Sequence, residues 1–247
     1  MMYVDAVIDL SEFNSPVNFA LIKDVGIVGV FHRATIGSPE LVEEHKQTYK
    51  TEDQKYRERA LQAKKQKLLW GAYHYGLGGC GAEQARYFLQ VIRALNQKSD
   101  ILMALDFEEP KGRGQPMELE DAKNFIHEVH CQTGHYPLLY GGRVLREKIQ
   151  AAVTSGKKAD KEALELLRHC EIWIPRYGEE STIILPPGWN AWTFWQYTDQ
   201  GKILGLSGFY DRNKFNGNLM NLKKFWCSKS LNINGHHLHA KHCTSFC

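Results

Sequence analysis

The stretch ILMALDFEEP, residues 101–110, runs from an apolar block straight into Asp106, Phe107, Glu108 and Glu109 and stops at a proline. A short apolar run bounded in this way reads as a buried strand. Its acidic end has two readings: a solvated turn ahead of Pro110, or a pair of carboxyls placed for chemistry.

Similar runs recur along the chain. Residues 4–10, 26–34, 67–75, 136–140, 171–174 and 192–197 have strand composition, and helical patterns cover roughly residues 40–66, 81–96, 119–132 and 158–168. Strands alternating with helices imply parallel pairing through crossover connections, and this many strands favours a barrel over a doubly wound sheet. No GxGxxG or GxxxxGK[ST] stretch follows the first strand, which argues against a nucleotide site. After Tyr177 the helical periodicity disappears, and Leu185-Pro186-Pro187-Gly188 leads into closely spaced strands. The expectation is an α/β fold of a single domain, a modified TIM-like barrel over residues 1–227 whose last third closes with antiparallel pieces.

Residues 228–247 have little apolar content and gather His236, His237, His239, His242, Cys243 and Cys247. Their spacing matches no established zinc pattern, so the tail is expected to be poorly ordered, with no metal and no cofactor. The six cysteines show no CxxC spacing and are expected to be reduced. The 247 residues are 43% hydrophobic, enough for a sizeable core, and 31 Lys and Arg against 28 Asp and Glu give a net charge of +3. That balance is too weak to argue for nucleic acid, though it suits an anionic polymer. The N-terminal MMYVDAVIDL carries Asp5 and Asp9 inside its apolar run, unlike a secretion signal, and no apolar run approaches the ~20 residues that span a bilayer. A soluble monomer is expected, with its cellular location left open.

In a parallel barrel, chemistry gathers at the carboxyl ends of the strands. Those ends bring Asp9 and Ser11, His32 and Arg33, Tyr73 and Tyr75, Asp106 and Glu108, Tyr140, Arg176 and Tyr177, Gln196 and Tyr197, and finally Asp211. Along a strand, residues i and i+2 share a face, so Asp106 and Glu108 point the same way with Cα atoms about 6.5–7 Å apart. Each carboxylate then raises the other's proton affinity, leaving one protonated and one ionised. Glycoside hydrolysis needs that division: a donor for the leaving oxygen and a negative charge for an oxocarbenium-like transition state.

Three further stretches accompany ALDFEE: VIDLSEFN at 7–14, LLWGAYHYG at 68–76, and WTFWQYT at 192–198 followed by SGFYDRNKFNG at 207–217. Together they resemble, over about residues 3–226, the glycoside hydrolase family 25 lysozymes, the Chalaropsis-type N-acetylmuramidases. Tyr75-Gly76 stands where that family more often has Phe-Ala, and Asn14 matches its pattern only loosely. The resemblance implies a (β/α)5β3 barrel that cleaves the β-1,4 bond between N-acetylmuramic acid and N-acetylglucosamine of peptidoglycan with retention. It implies Glu108 as general acid and base, Asp106 as its assistant, and Asp9 and Asp211 as the other two acids of the site. Tyr75, Tyr140, Trp195 and Tyr73 are the aromatic candidates for sugar contact, with Arg176 for a substrate carboxylate. Two rival readings remain: a sugar-binding barrel without catalysis, and a metal-dependent barrel hydrolase whose acids ligate a cation.

Overall fold

Strand β1 (Val4–Leu10) lies between β2 (Gly29–Ile36) and β8 (Tyr210–Phe215), and that placement closes the sheet. The ring continues through β3 (Leu69–Tyr75), β4 (Asp100–Asp106), β5 (Leu138–Tyr140), β6 (Ile172–Pro175) and β7 (Phe194–Gly201), each hydrogen-bonded to the next. Neighbours from β1 to β7 pair in parallel, whereas β8 runs antiparallel to both β7 and β1. This computed structural model describes residues 3–44, 49–95, 100–112 and 114–232.

Helices cross over between the first six strands: α1 (Phe19–Asp24), α2 (Pro39–Glu44), α3 (Tyr56–Lys65), α4 (Gly81–Arg93), α5 (Leu119–Thr133), α6 (Arg143–Ser155) and α7 (Lys158–Leu167). Between β6, β7 and β8 there is no α-helix, so the architecture is (β/α)5β3. Helix α5 shows how local sequence sets such an element. A reciprocal capping box between Glu118 and Asp121 starts it, and Gly134 ends it at a left-handed φ of 74°. Its buried residues Ala122, Phe125, Ile126 and Val129 form one apolar stripe against the sheet and α4.

Three helices were not expected from the sequence: α1, α6 and α8 (Leu219–Lys229). The stripe of α6 is only Leu145, Ile149 and Ala152, with charged residues between. The pattern expected over 40–66 divides into α2 and α3. Between them the chain leaves helical geometry so that Asp53 N–H can donate to the Ala34 carbonyl at 3.0 Å. Helix α8 runs past the expected domain limit at 227, and β9 (Leu231–Asn232) pairs antiparallel with Asp100 and Ile101. Residues 228–232 are therefore built into the barrel, and the His/Cys-rich remainder lies outside the described residues. The expectation of reduced thiols needs correction. Cys170 and Cys227 are free, but Cys80 and Cys131 are disulfide-bonded. Disulfide pairing depends on which positions meet in space, and isolated spacings carry no such information.

The barrel interior is packed from floor to mouth by aromatic rings. Trp226 of α8 plugs the floor, with Phe31 of β2 at 4.7 Å between centroids, and Trp173 of β6 lies 4.6 Å beyond Phe31. The column has room only because its neighbours lack side chains. A Cβ at Gly29 would stand 2.9 Å from Trp226, and one at Gly71 would overlap the Phe31 ring outright. Gly71→Ala is expected to overpack this layer by about 1–3 kcal/mol and lower Tm by roughly 3–10 °C in a thermal melt. An unchanged Tm would show that Phe31 can move aside.

Candidate active site

The mouth of the barrel opens into a cavity of about 270 Å³. Asp9, Asp106, Glu108 and Asp211 line it together with Arg33, Lys111, Gln196, Phe13, Trp173 and the tyrosines 73, 75, 140 and 177. Strand period explains the convergence, because alternate residues of each strand face inward. Ala104 and Asp106 of β4, Phe31 and Arg33 of β2, and Phe194 and Gln196 of β7 each put an apolar residue in the packed layer and a polar one above it. Strand β4 ends at Asp106, but Phe107 N–H still donates to the Tyr140 carbonyl at 2.8 Å. The chain stays extended for one more step. Phe107 is buried among Met117 and Leu145 on the outer side, and Glu108 returns to the cavity.

A hydrogen-bond chain holds Asp9. Its Oδ2 accepts from Gln196 Nε2 at 3.0 Å and from Asn213 Nδ2 at 2.8 Å. Gln196 Oε1 in turn accepts from the hydroxyls of Tyr140 (3.0 Å) and Tyr177 (3.3 Å), and Asn213 Oδ1 accepts from Trp173 Nε1 at 2.7 Å. Asp9 and Asp211 are direct partners across the antiparallel pair of β1 and β8 and hydrogen-bond to one another, so a proton lies between them. Burial, with the Asp9 charge and hydrogen bond behind it, pushes Asp211 up to about 9. Asp9 is also raised by burial, against the pull of its Asn213 and Gln196 donors.

Asp106 is raised well above the carboxylate range, first by burial, then by the charges of Glu108 and Asp9, with Arg33 and Lys111 opposing. Its Oδ1 is buried without a hydrogen-bond partner. Burial also raises Glu108, while Lys111 and a hydrogen bond with Tyr140 pull it down. The group of four acids therefore retains protons near neutrality, and one buried carboxyl oxygen points at no donor of the protein.

Not every expected residue reaches the cavity. Asp9, Asp106, Glu108, Asp211, Tyr73, Tyr75 and Tyr140 do. Trp195 follows the opposite phase of β7 from Gln196, so it packs outside the barrel against Trp192 and Tyr197 and donates to the Arg176 carbonyl at 2.6 Å. Arg176 is exposed, and its Nε donates to Thr182 Oγ1 at 2.9 Å. His32 and His74 face outward too. His32 Nδ1–H donates to the Arg33 carbonyl and Nε2 accepts from Arg59, and burial pushes it down to about 3. His74 sits between Thr35 and Gln84, pushed down to about 4. Among the described residues no cluster of three or more His, Cys, Asp or Glu side chains is arranged to hold a metal ion, and no helix is long and apolar enough to cross a membrane.

Sequence reasoning assigned no role to Phe13, Arg33, Lys111, Gln196 or Asn213. Gln196 and Arg33 are placed at strand ends by position, but Phe13 and Lys111 sit on loops where no period applies. The Phe13 loop is tied down from the β2–β3 connection. Arg59 donates to the carbonyls of Ser11 and Asn14, and Glu12 N–H donates to Asp53 Oδ2 at 2.8 Å.

The sequence profile of Glycosyl hydrolases family 25 matches residues 8–206. The chain belongs to this family. It is accordingly a glycoside hydrolase, and its barrel is that of the family. Lysozyme M1 of Streptomyces globisporus is 25% identical over 221 residues, covering 87% of this chain and 69% of that protein. The uncharacterized protein YegX of Escherichia coli K12 is 30% identical over 160 residues, 64% of this chain and 52% of its own length. Among solved structures, a bacterial lysozyme from Streptomyces coelicolor superposes with a TM-score of 0.70 at 22% identity, covering 90% of this chain and 96% of that one. A family GH25 lysozyme from Aspergillus fumigatus gives 0.67 at 23% identity, covering 91% and 99%. At those identities the structural matches speak for the fold.

This chain keeps its buried acids at a cost in stability. An unfolded aspartate ionises near pH 3.9, whereas Asp211 in the fold holds its proton up to about 9. Between those values the folded chain binds more protons than the unfolded one, so stability falls as pH rises through the window. Asp211→Asn is expected to raise Tm at pH 8, with the gain shrinking towards pH 4. A pH series of thermal melts would show it, and a difference independent of pH would remove the shared proton from the account.

Proposed function

We propose that this chain is a muramidase that cleaves the β-1,4 bond between N-acetylmuramic acid and N-acetylglucosamine in peptidoglycan, with Glu108 as general acid and base and Asp106 assisting. The observation that carries the reading is the buried, unpartnered Oδ1 of Asp106 beside a Glu108 whose proton affinity burial raises. The acetamido N–H of a bound sugar supplies the missing donor. That hydrogen bond favours ionised Asp106 and moves the proton shared by the pair onto Glu108.

Glu108 then gives its proton to the glycosidic oxygen as the C1–O bond breaks. The acetamido oxygen, oriented through Asp106, attacks C1 from the opposite face and closes a ring whose positive charge Asp106 offsets. Glu108, now a carboxylate, takes a proton from water as that water opens the ring, and two inversions amount to retention. Asp106 and Glu108 side by side at one strand end suit this course better than a covalent ester, which needs carboxyls on opposite faces of the sugar. Asp9 and Asp211 hold the electrostatic frame, and Tyr73, Tyr75 and Tyr140 offer ring faces and hydroxyls to the sugar. The cavity is complete within one copy, in keeping with a monomer.

Glu108→Gln keeps the shape and removes the transferable proton, so it is expected to lower turnover by 10²–10⁴-fold with an unchanged circular dichroism spectrum. Mass spectrometry of fragments released from peptidoglycan, with and without borohydride reduction, reads the bond cleaved. Wild type should yield fragments ending in reducible N-acetylmuramic acid. Near-normal turnover in the variant would sink the assignment. Asp106→Asn should lose activity to a similar order, while Asp9→Asn and Asp211→Asn should retain a residue of it. Because Glu108 must be protonated and Asp106 ionised in the complex, activity should follow a bell, falling as pH climbs through the raised pKa of Glu108 and falling again in acid where Asp106 takes up a proton.

A further inference from the structure

The cavity mouth holds two cations in different circumstances. Arg33 is committed within the protein, 2.9 Å from Glu12 and 3.2 Å from Asp53. Lys111 makes no ion pair with any described residue, although it stands at the rim of a cavity lined by four acids. It also borders a second cavity of about 130 Å³, lined by Phe107, Glu108, Glu109, Gly142, Arg143 and Val144. Glu108 and Lys111 belong to both cavities, so the lysine stands where the main cavity continues into the side one. Arg143 on the far wall is already engaged by Glu147 at 2.9 Å.

The backbone gives independent support. Lys111 adopts a left-handed φ of 50°, in a loop where Gly112 and Gly114 take the other positive values, 80° and 138°. Glycine adopts that conformation with no Cβ penalty, so a lysine there costs folding free energy. The loop nevertheless presents a long cationic side chain at this position, beside the proton donor.

We propose that Lys111 is a specificity-determining residue that reads a carboxylate on the substrate, carried by the sugar or its peptide where the chain of sugars passes Glu108 into the side cavity. This rests on the muramidase reading, whose polymer carries such carboxylates. A neutral polysaccharide has nothing to offer the free ammonium.

The test compares wild type, Lys111→Met and Lys111→Arg on three polymers: native peptidoglycan, peptidoglycan whose carboxyls are converted to methylamides, and glycan stripped of peptide, in which cleavage of the lactyl amide frees the lactyl carboxylate as the one carboxylate present. Wild type should lose about tenfold in kcat/KM on the methylamide polymer, the size of one charge-assisted hydrogen bond. Lys111→Met should lose about tenfold on the native polymer and nothing further on the methylamide, and Lys111→Arg should restore most of the loss. A Lys111→Met defect on the stripped glycan shows that Lys111 reads the lactyl carboxylate of sugars without peptide, and a defect confined to the native polymer assigns the peptide carboxylates. A loss of equal factor on all three polymers, with the pH profile shifted alike on each, would mean that Lys111 acts on Glu108 alone, and the proposal would fall. Sedimentation binding of Glu108→Gln with and without Lys111→Met to the same polymers separates the two readings. Lys111- and carboxylate-dependent binding without cleavage by wild type would remove the muramidase assignment and keep this one, and binding indifferent to both would overturn it.

Discussion

The antiparallel insertion of β8 between β7 and β1 is the constraint on which the rest of the structure depends. It closes the barrel and, in the same register, sets Asp211 opposite Asp9 and places Asn213 between Asp9 and Trp173. A slip of one residue would turn Asp211 and Asn213 outward together and put Arg212 into the mouth. The packed column of Trp226, Phe31 and Trp173 below fixes the height of that mouth. Trp173 belongs to both, with its ring in the column and its indole N–H in the polar chain that reaches Asp9.

Above that floor the molecule places four carboxyls where water is scarce. Burial is the leading cause of the raised proton affinity at each of them, and neighbouring acids add to it at Asp106, Glu108 and Asp211. Such a site destabilises the fold as the solution becomes more alkaline, and it supplies what a glycosidase uses: a carboxylic acid that stays protonated at a pH where free acids do not. The hydrogen bonds are unevenly shared. Asp9 receives two side-chain donors, whereas Asp106 Oδ1 receives none. That difference separates an acid fixed by the protein from one open to a ligand.

The two buried strand histidines and Arg59 act at a distance from this chemistry. His32 and His74 lie towards the ends of β2 and β3, but both side chains face the helical layer and burial lowers their proton affinity. His32 accepts from Arg59, which also holds the loop carrying Phe13 over the cavity. The cation needed to shape the rim thus comes from α3, a helix whose start could not be separated from the 40–66 pattern by periodicity alone.

Much of this was legible in the order of residues. Alternating apolar runs dictated parallel strands with crossover helices, and loss of helical period after Tyr177 foretold the antiparallel closure. Period two brought Asp106 and Glu108 to one face, and strand ends supplied Asp9, Asp211 and three tyrosines. The same rule misplaced Trp195, because it needs the phase of β7 relative to the barrel axis, and only packing of Phe194 inside sets that phase. Arg176 stood at a strand end yet leaned to solvent, and Phe13 and Lys111 came from loops whose course depends on distant partners such as Arg59 and Asp53. Short-range chemistry therefore determined the elements and the acids they carry. Which side chains share a cavity, which carboxyl keeps a proton and which keeps an empty acceptor were decided by tertiary structure, because burial and long-range hydrogen bonds exist only once the barrel has closed.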